Sequence, residues 1–152
     1  MSDRLRRLHI LIVDNDESFL KSCIDLLTTL GIKMVSTAQG CEEAFTKCES
    51  ASDPIDVILA GVNLRDGNGL QLLKNLRLGR LPKLSSRTCF ILLTNTTSTS
   101  LILTAGALDC TGYLLKPITA SGLSNAIRDG FEKRIVTDNV TYENVLIADS
   151  VC

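Results

Sequence analysis

The chain has 152 residues, 45% of them hydrophobic and 22% charged, which suits one globular domain with a substantial core and is short for two. Lys and Arg (16) nearly balance Asp and Glu (17), so a nucleic-acid or membrane surface built on bulk charge is disfavoured. No run approaches the roughly 20 apolar residues of a membrane span. Arg4, Arg6 and Arg7 precede only the short apolar run Ile10 to Val13, so no secretory signal is read and a cytoplasmic protein is expected.

Short apolar runs then alternate with helical periodicity, the pattern of a parallel sheet covered on both faces. Ile10 to Val13 reads as a buried strand that stops at Asp14-Asn15-Asp16, with Asp16 placed to cap a helix. Phe19, Leu20, Cys23, Ile24, Leu27 and Leu30 recur near a period of 3.6 before Gly31 ends that helix. Met34 to Thr37 is a second strand, and Cys41, Ala44, Phe45 and Cys48 mark one face of a second helix. Ser52-Asp53-Pro54 breaks the chain before a third strand, Ile55 to Ala60.

Gly67 and Gly69 punctuate the next loop, and Leu70, Leu72, Leu73 and Leu76 continue as a third helix. After Pro82 comes the strand Cys89 to Leu93. Thr94 to Ser100 consists of Thr, Ser and Asn alone, whose side chains compete for helical backbone bonds. A weak helix over Leu101 to Leu108 and low local stability before it are expected. Gly112 to Leu115 is the fifth strand, closed by Lys116-Pro117. Thr119 or Ser121 caps a last helix whose face runs through Leu123, Ile127, Phe131 and Ile135.

These units predict an α/β, flavodoxin-like, doubly wound domain: a five-stranded parallel sheet with helices on both faces, spanning residues 1–135. Such folds bind and react at the carboxyl ends of their strands. The residues to interrogate are therefore Asp14, Asn15, Gly61, Thr94 and Lys116. Residues 136–152 form a C-terminal extension. Its apolar stretch Val145 to Ala148 echoes the opening strand, which leaves open an extra strand or the start of a linker or second domain. The six cysteines (Cys23, Cys41, Cys48, Cys89, Cys110 and Cys152) include no C-x-x-C pair and read as small apolar fillers, with a terminal Cys152 exposed. No metal site and no cofactor are expected from them.

Four stretches carry a resemblance: Ile-Leu-Ile-Val-Asp-Asn-Asp-Glu (10–17), Asp-Val-Ile-Leu-Ala-Gly-Val-Asn-Leu-Arg-Asp-Gly-Asn-Gly (56–69), Leu-Leu-Thr-Asn (92–95) and Gly-Tyr-Leu-Leu-Lys-Pro (112–117). In this order, over about residues 8 to 135, the chain resembles the CheY-like receiver domains of two-component response regulators. The resemblance implies two acids after the first strand and an aspartate after the third holding Mg²⁺, that third-strand aspartate taking the phosphoryl group. It also implies a Thr or Ser and a Lys on the phosphoryl oxygens. Asp14 matches the first acid, but Asn15 replaces the second and Gly61 stands at the acceptor position. Thr94 and Lys116 match the hydroxyl and the lysine. Pro117 matches the proline whose peptide bond is typically cis, and Tyr113 the switch aromatic.

Glycine has no carboxylate to attack phosphorus, and an amide is a poorer ligand than a carboxylate for a hard cation. Asp14 and Lys116 alone sum to zero charge, which predicts a direct ion pair in a metal-free pocket. Asp56 lies at the wrong end of its strand, Asp66 reads as a turn residue beside Gly67, and Asp16 reads as a helix cap. The expectation is a phosphorylation-independent pseudo-receiver, not an enzyme, acting in two-component-type signalling through protein–protein contacts. Its partner surface would be the family's fourth helix, fifth strand and fifth helix, here Ser98–Leu108, Gly112–Leu115 and Ala120–Ile135, with a homodimer as one arrangement. No membrane and no direct nucleic-acid contact by this domain is expected. The alternative is a sensor that binds a small anionic ligand on Lys116 and Thr94. Catalysis is disfavoured further because the one histidine, His9, opens a strand far from that pocket.

Overall fold

The computed structural model describes residues 3–135 and 138–147. Five strands, β1 (His9–Val13), β2 (Met34–Ala38), β3 (Val57–Gly61), β6 (Cys89–Thr94) and β7 (Gly112–Leu115), form one sheet in the order β2-β1-β3-β6-β7. Every pairing in it is parallel. A two-residue hairpin, β4 (Asn63–Leu64) with β5 (Gly67–Asn68), follows β3. The helices are α1 (Asp3–Arg6), α2 (Glu17–Thr29), α3 (Cys41–Ser50), α4 (Gly69–Arg77), α5 (Thr99–Ala107), α6 (Ala120–Glu132) and α7 (Asn139–Glu143).

The alternation along each central strand divides the core in two. Leu11, Val13, Ile58, Ala60, Phe90 and Leu92 point to one side, where α3, α4 and α5 lay down Ala44, Cys48, Leu70, Leu73, Leu76 and Ala105. Ile10, Ile12, Val57, Leu59, Ile91 and Leu93 point to the other, under Leu5 of α1, Leu20, Cys23 and Leu27 of α2, and Leu123 and Ile127 of α6. Strands covered on both faces have no polar side, which is why they read as unbroken apolar runs. Each fully buried Leu or Ile contributes about 1.5–3 kcal/mol.

Local signals set the helix starts. The Asp16 carboxylate accepts from the N–H groups of Ser18 and Phe19, and the Thr119 hydroxyl accepts from Gly122. Gly31 leaves α2 with a positive φ of 85°, a conformation a side chain would strain. In α3, Phe45 is half exposed, so the buried face is Cys41, Ala44 and Cys48 alone. Helix α5 begins at Thr99, ahead of the expected Leu101, and buries only Ala105 within its length.

Three short elements were not anticipated: α1, the β4–β5 hairpin and α7. Val145 to Ile147 form no strand; they follow α7 in irregular backbone and pack Val145 and Ile147 against the α3–α4–α5 side. Ala148 and Cys152 lie outside the described residues. Cys23, Cys48, Cys89 and Cys110 are buried free thiols, as small fillers should be, whereas Cys41 is not one of the free thiols. His9 is buried at the opposite end of the sheet from the strand-end pocket. Its ring nitrogens lie 2.8 Å from the Asp53 carbonyl and 2.7 Å from the Ser36 hydroxyl.

Candidate functional site

Parallel pairing brings the ends of β1, β3, β6 and β7 together, and with them Asp14, Gly61, Thr94 and Lys116. The N–H of Asp14 extends the ladder to the Ala38 carbonyl at 3.0 Å, which fixes the backbone from which its side chain turns inward. That side chain is 2% exposed. Its Oδ1 accepts from the N–H of Asp16 at 2.9 Å, and its Oδ2 accepts from Lys116 Nζ at 2.7 Å. Lys116 is set by its own N–H donating to the Thr94 carbonyl at 2.7 Å and by the cis Lys116–Pro117 bond that follows. Its ammonium also sits 4.0 Å from the centre of the Phe19 ring, a cation–π contact supplied by α2.

Gly61 closes β3 directly beneath this pair. A Cβ built there would stand 2.5 Å from Asp14 Oδ2 and 3.1 Å from its Cγ. The Asp14 carboxylate therefore fills the space into which a side chain from position 61 would project. Gly69 is glycine for a related reason: a Cβ on it would collide with the Gly61 carbonyl. Its N–H donates to Val62 O at 2.8 Å, folding the hairpin loop back over the strand end.

Thr94 is buried, yet its hydroxyl is turned onto local backbone. It donates to the Thr96 carbonyl at 3.0 Å and accepts from the Thr96 N–H at 3.1 Å. The Thr96 hydroxyl in turn accepts from Ser98 N–H. Both groups expected to hold an anion, Lys116 and Thr94, thus have internal partners already. Asn15 is exposed at the mouth of a cavity of about 180 Å³, and Asn63 and Asn95 join it there. Neither of those two amides was singled out from sequence. Tyr113 is half exposed on β7, where it lines a separate apolar cleft of about 220 Å³ with Leu101, Ile102 and Leu115.

The other acids have structural work. Asp16 caps α2. Asp66 is not a local turn residue: it reaches across to cap α3, where Gly40 supplies no side chain. Its carboxylate accepts from Cys41 N–H at 2.5 Å and Glu42 N–H at 3.0 Å. Partial burial works to raise its pKa, but the N–H groups of Glu42 and Cys41 hold the carboxyl below its ordinary value. Near the Asp14–Lys116 pair, burial pushes the Cys23 thiol up to about 12, with the Asp14 carboxylate adding to the effect.

The carboxylate oxygens at this pocket are already engaged. One Asp14 oxygen is taken by Lys116 and the other by a backbone N–H, Asp16 faces its helix, and Gly61 offers nothing. Among the described residues no group of three or more His, Cys, Asp or Glu could hold a metal ion.

Residues 10–128 match the response regulator receiver domain family. The chain belongs to that family. This receiver domain is 33% identical over 131 residues to the DNA-binding transcriptional activator DevR/DosR of Mycobacterium tuberculosis, covering 86% of this chain and 57% of that one. It thus spans little more than half of that relative's length. Among solved structures it is similar to the chemotaxis protein CheY4 of Vibrio cholerae, with 28% identity and a TM-score of 0.68 over 80% of this chain and 96% of that one. It is also similar to a two-component response regulator from Clostridium difficile, with 26% identity and a TM-score of 0.71 over 84% of this chain and 98% of that one. The receiver is a domain of two-component signalling, and no described helix is long and apolar enough to cross a membrane.

Proposed function

We propose that this receiver acts through protein contacts without phosphorylation at the end of β3. Residues 1–135 are the receiver unit and residues 136–152 an extension to it, in a cytoplasmic, non-enzymatic module. The observation that carries this reading is Gly61. It has no nucleophile, and the space beside it is filled by an Asp14 carboxylate already neutralised by Lys116 at 2.7 Å. Asp14 and Lys116 thereby occupy each other, and the conformation they support does not wait for a metal ion.

The partner surface in this reading is α5, β7 and α6. Tyr113 and Leu115, each 51% exposed, line the apolar cleft between α5 and β7, and Leu103 of α5 is 68% exposed. Exposed large apolar side chains gathered at one place are more informative than the same residues scattered singly.

Incubation with acetyl phosphate and Mg²⁺, followed by intact mass and an amide NMR spectrum, tests the proposal. The expected result is no adduct and no shift at Thr94 or Lys116. A stable phosphoryl adduct mapped to Asp16 or Asp66 would overturn it.

A further inference from the structure

Residues 138–147 are tied back onto the domain from several directions. Tyr142 is 2% exposed, and its hydroxyl donates to Asp109 Oδ2 at 2.6 Å. Lys74 of α4 donates to the carbonyls of Glu143 at 3.1 Å and Val145 at 2.8 Å. Arg80 pairs with Glu143 at 2.6 Å. Asp109 is itself the left-handed residue, φ 53°, of the turn between α5 and β7.

That turn is held from the other side by Arg77. Its fully buried guanidinium donates to the carbonyls of Leu108, Asp109, Ser86 and Thr88 at 2.8–3.1 Å. Asp109 is therefore gripped twice, by its carbonyl from Arg77 and by its carboxylate from Tyr142. Burial, with the Asp109 acceptor adding to it, pushes the Tyr142 phenol up, so it remains a donor.

Among the described residues the attachment is nonetheless built from a short list of contacts. Helix α7 has five residues, too few to persist alone. The Arg80–Glu143 pair is 51% exposed on each side and adds little. Val140 and Leu146, 73% and 89% exposed, face away from the core. Docking rests on Tyr142, the two Lys74 bonds and the packing of Val145 and Ile147 on the core, a small set of contacts that opens more readily than the global fold.

We propose that residues 138–147 are a releasable strap whose docking is coupled, through Asp109, to the turn between α5 and β7. A shift of α5 against β7 moves the acceptor that Tyr142 needs, and by linkage release of the strap loosens the turn in equal measure. The state of the α5–β7 face is thus conveyed to the chain that follows α6.

Hydrogen exchange on the whole chain tests this with three variants. Tyr142→Phe deletes the donor. Asp109→Gly deletes the acceptor while tolerating the positive φ. Lys74→Ala deletes two strap bonds without touching Asp109. Losing these bonds should speed exchange of 138–147 about tenfold, as expected for the loss of one or two hydrogen bonds. Exchange of residues 108–112 should rise with it, while β1 and β3 stay unchanged. The Lys74 variant is the most direct test, since it removes strap bonds while leaving the Tyr142 and Arg77 contacts to Asp109 in place, and it keeps the test alive if Tyr142→Phe fails to fold. Faster exchange confined to 138–147, no change in either region, or uniform acceleration through β1 and β3 would each overturn the proposal.

Discussion

Asp14 and Gly61 compete for one small volume: a Cβ on Gly61 would lie 2.5 Å from Asp14 Oδ2, well inside van der Waals contact. The carboxylate is not free to swing away, because Lys116 Nζ and the Asp16 N–H each hold one of its oxygens. Restoring an acid at position 61 therefore does more than add a nucleophile. It forces Asp14 to move and places a second negative charge beside one lysine.

Gly61→Asp should accordingly lower stability in metal-free buffer and create a dependence on Mg²⁺ that the parent lacks. Thermal unfolding with and without Mg²⁺ reads both effects, since a ligand that binds only the folded state raises Tm by mass action. The parent Tm should not move with Mg²⁺, whereas the variant's should rise. A parent that is stabilised by Mg²⁺ would show that Asp14 and its neighbours hold the ion without help.

Removing Lys116 leaves Asp14 as an unpaired carboxylate at 2% exposure. Breaking one side of such a pair costs about 3–5 kcal/mol, while replacing both partners by neutral groups costs much less. Lys116→Met should therefore be strongly destabilising, and Asp14→Asn with Lys116→Met should recover most of the loss. Urea unfolding of the two single variants and the double variant measures the coupling directly. Additive losses would show that the ion pair contributes nothing as a pair.

Asp66 contributes a pH-dependent increment. Its folded-state pKa is depressed, so the stability it adds is present above the unfolded carboxyl pKa and is lost as pH falls through the lowered folded value. Asp66→Ala should cost about 1 kcal/mol near neutrality, as for other lost helix caps, and flatten that acid limb of the stability curve. Denaturant midpoints taken down the acid range compare the two chains. An unchanged acid limb would place the protonation-linked loss elsewhere.

How much of this was legible in the sequence depends on how local the cause is. The strand ends were readable because apolar runs stop abruptly at Asp14, Thr94 and Lys116, and charge counting within the pocket implied by the receiver resemblance paired Asp14 with Lys116. Thr94 was only half readable: its position was clear, but its hydroxyl satisfies Thr96 two residues on. Asp66 looked like a turn residue because its partners, Cys41 and Glu42, lie 25 and 24 positions earlier in the chain. Tyr142 was invisible for the same reason. Nothing near it in sequence says that Asp109 waits 33 positions earlier.

The exposed apolar group on α5 and β7 makes a separable prediction. Leu103→Glu together with Leu115→Glu removes two large apolar side chains that are 68% and 51% exposed. Such surface changes usually alter stability by no more than about 0.5 kcal/mol. If this face joins two copies, sedimentation of the parent should shift toward dimer with concentration, and the variant should stay monomeric at unchanged Tm. A parent that remains monomeric at high concentration would remove the homodimer and leave a different protein as the partner.

Arg77 was the least legible residue of all, since an arginine in the last turn of a helix ordinarily points to solvent. Here it has no exposure, and four backbone carbonyls surround its guanidinium. Burial lowers its pKa, but an arginine keeps its charge, and the planar fork satisfies acceptors from two separate loops at once. Lysine cannot reproduce that geometry: one ammonium reaching the same place leaves carbonyls of Leu108, Asp109, Ser86 or Thr88 without donors. Arg77→Lys should cost about 2–3 kcal/mol, of the order of one or two unsatisfied buried acceptors. Arg77→Met should cost more, because every one of those carbonyls loses its donor. An Arg77→Lys variant as stable as the parent, beside a strongly destabilised Arg77→Met, would mean that the charge, and not the shape of the guanidinium, is what the site requires.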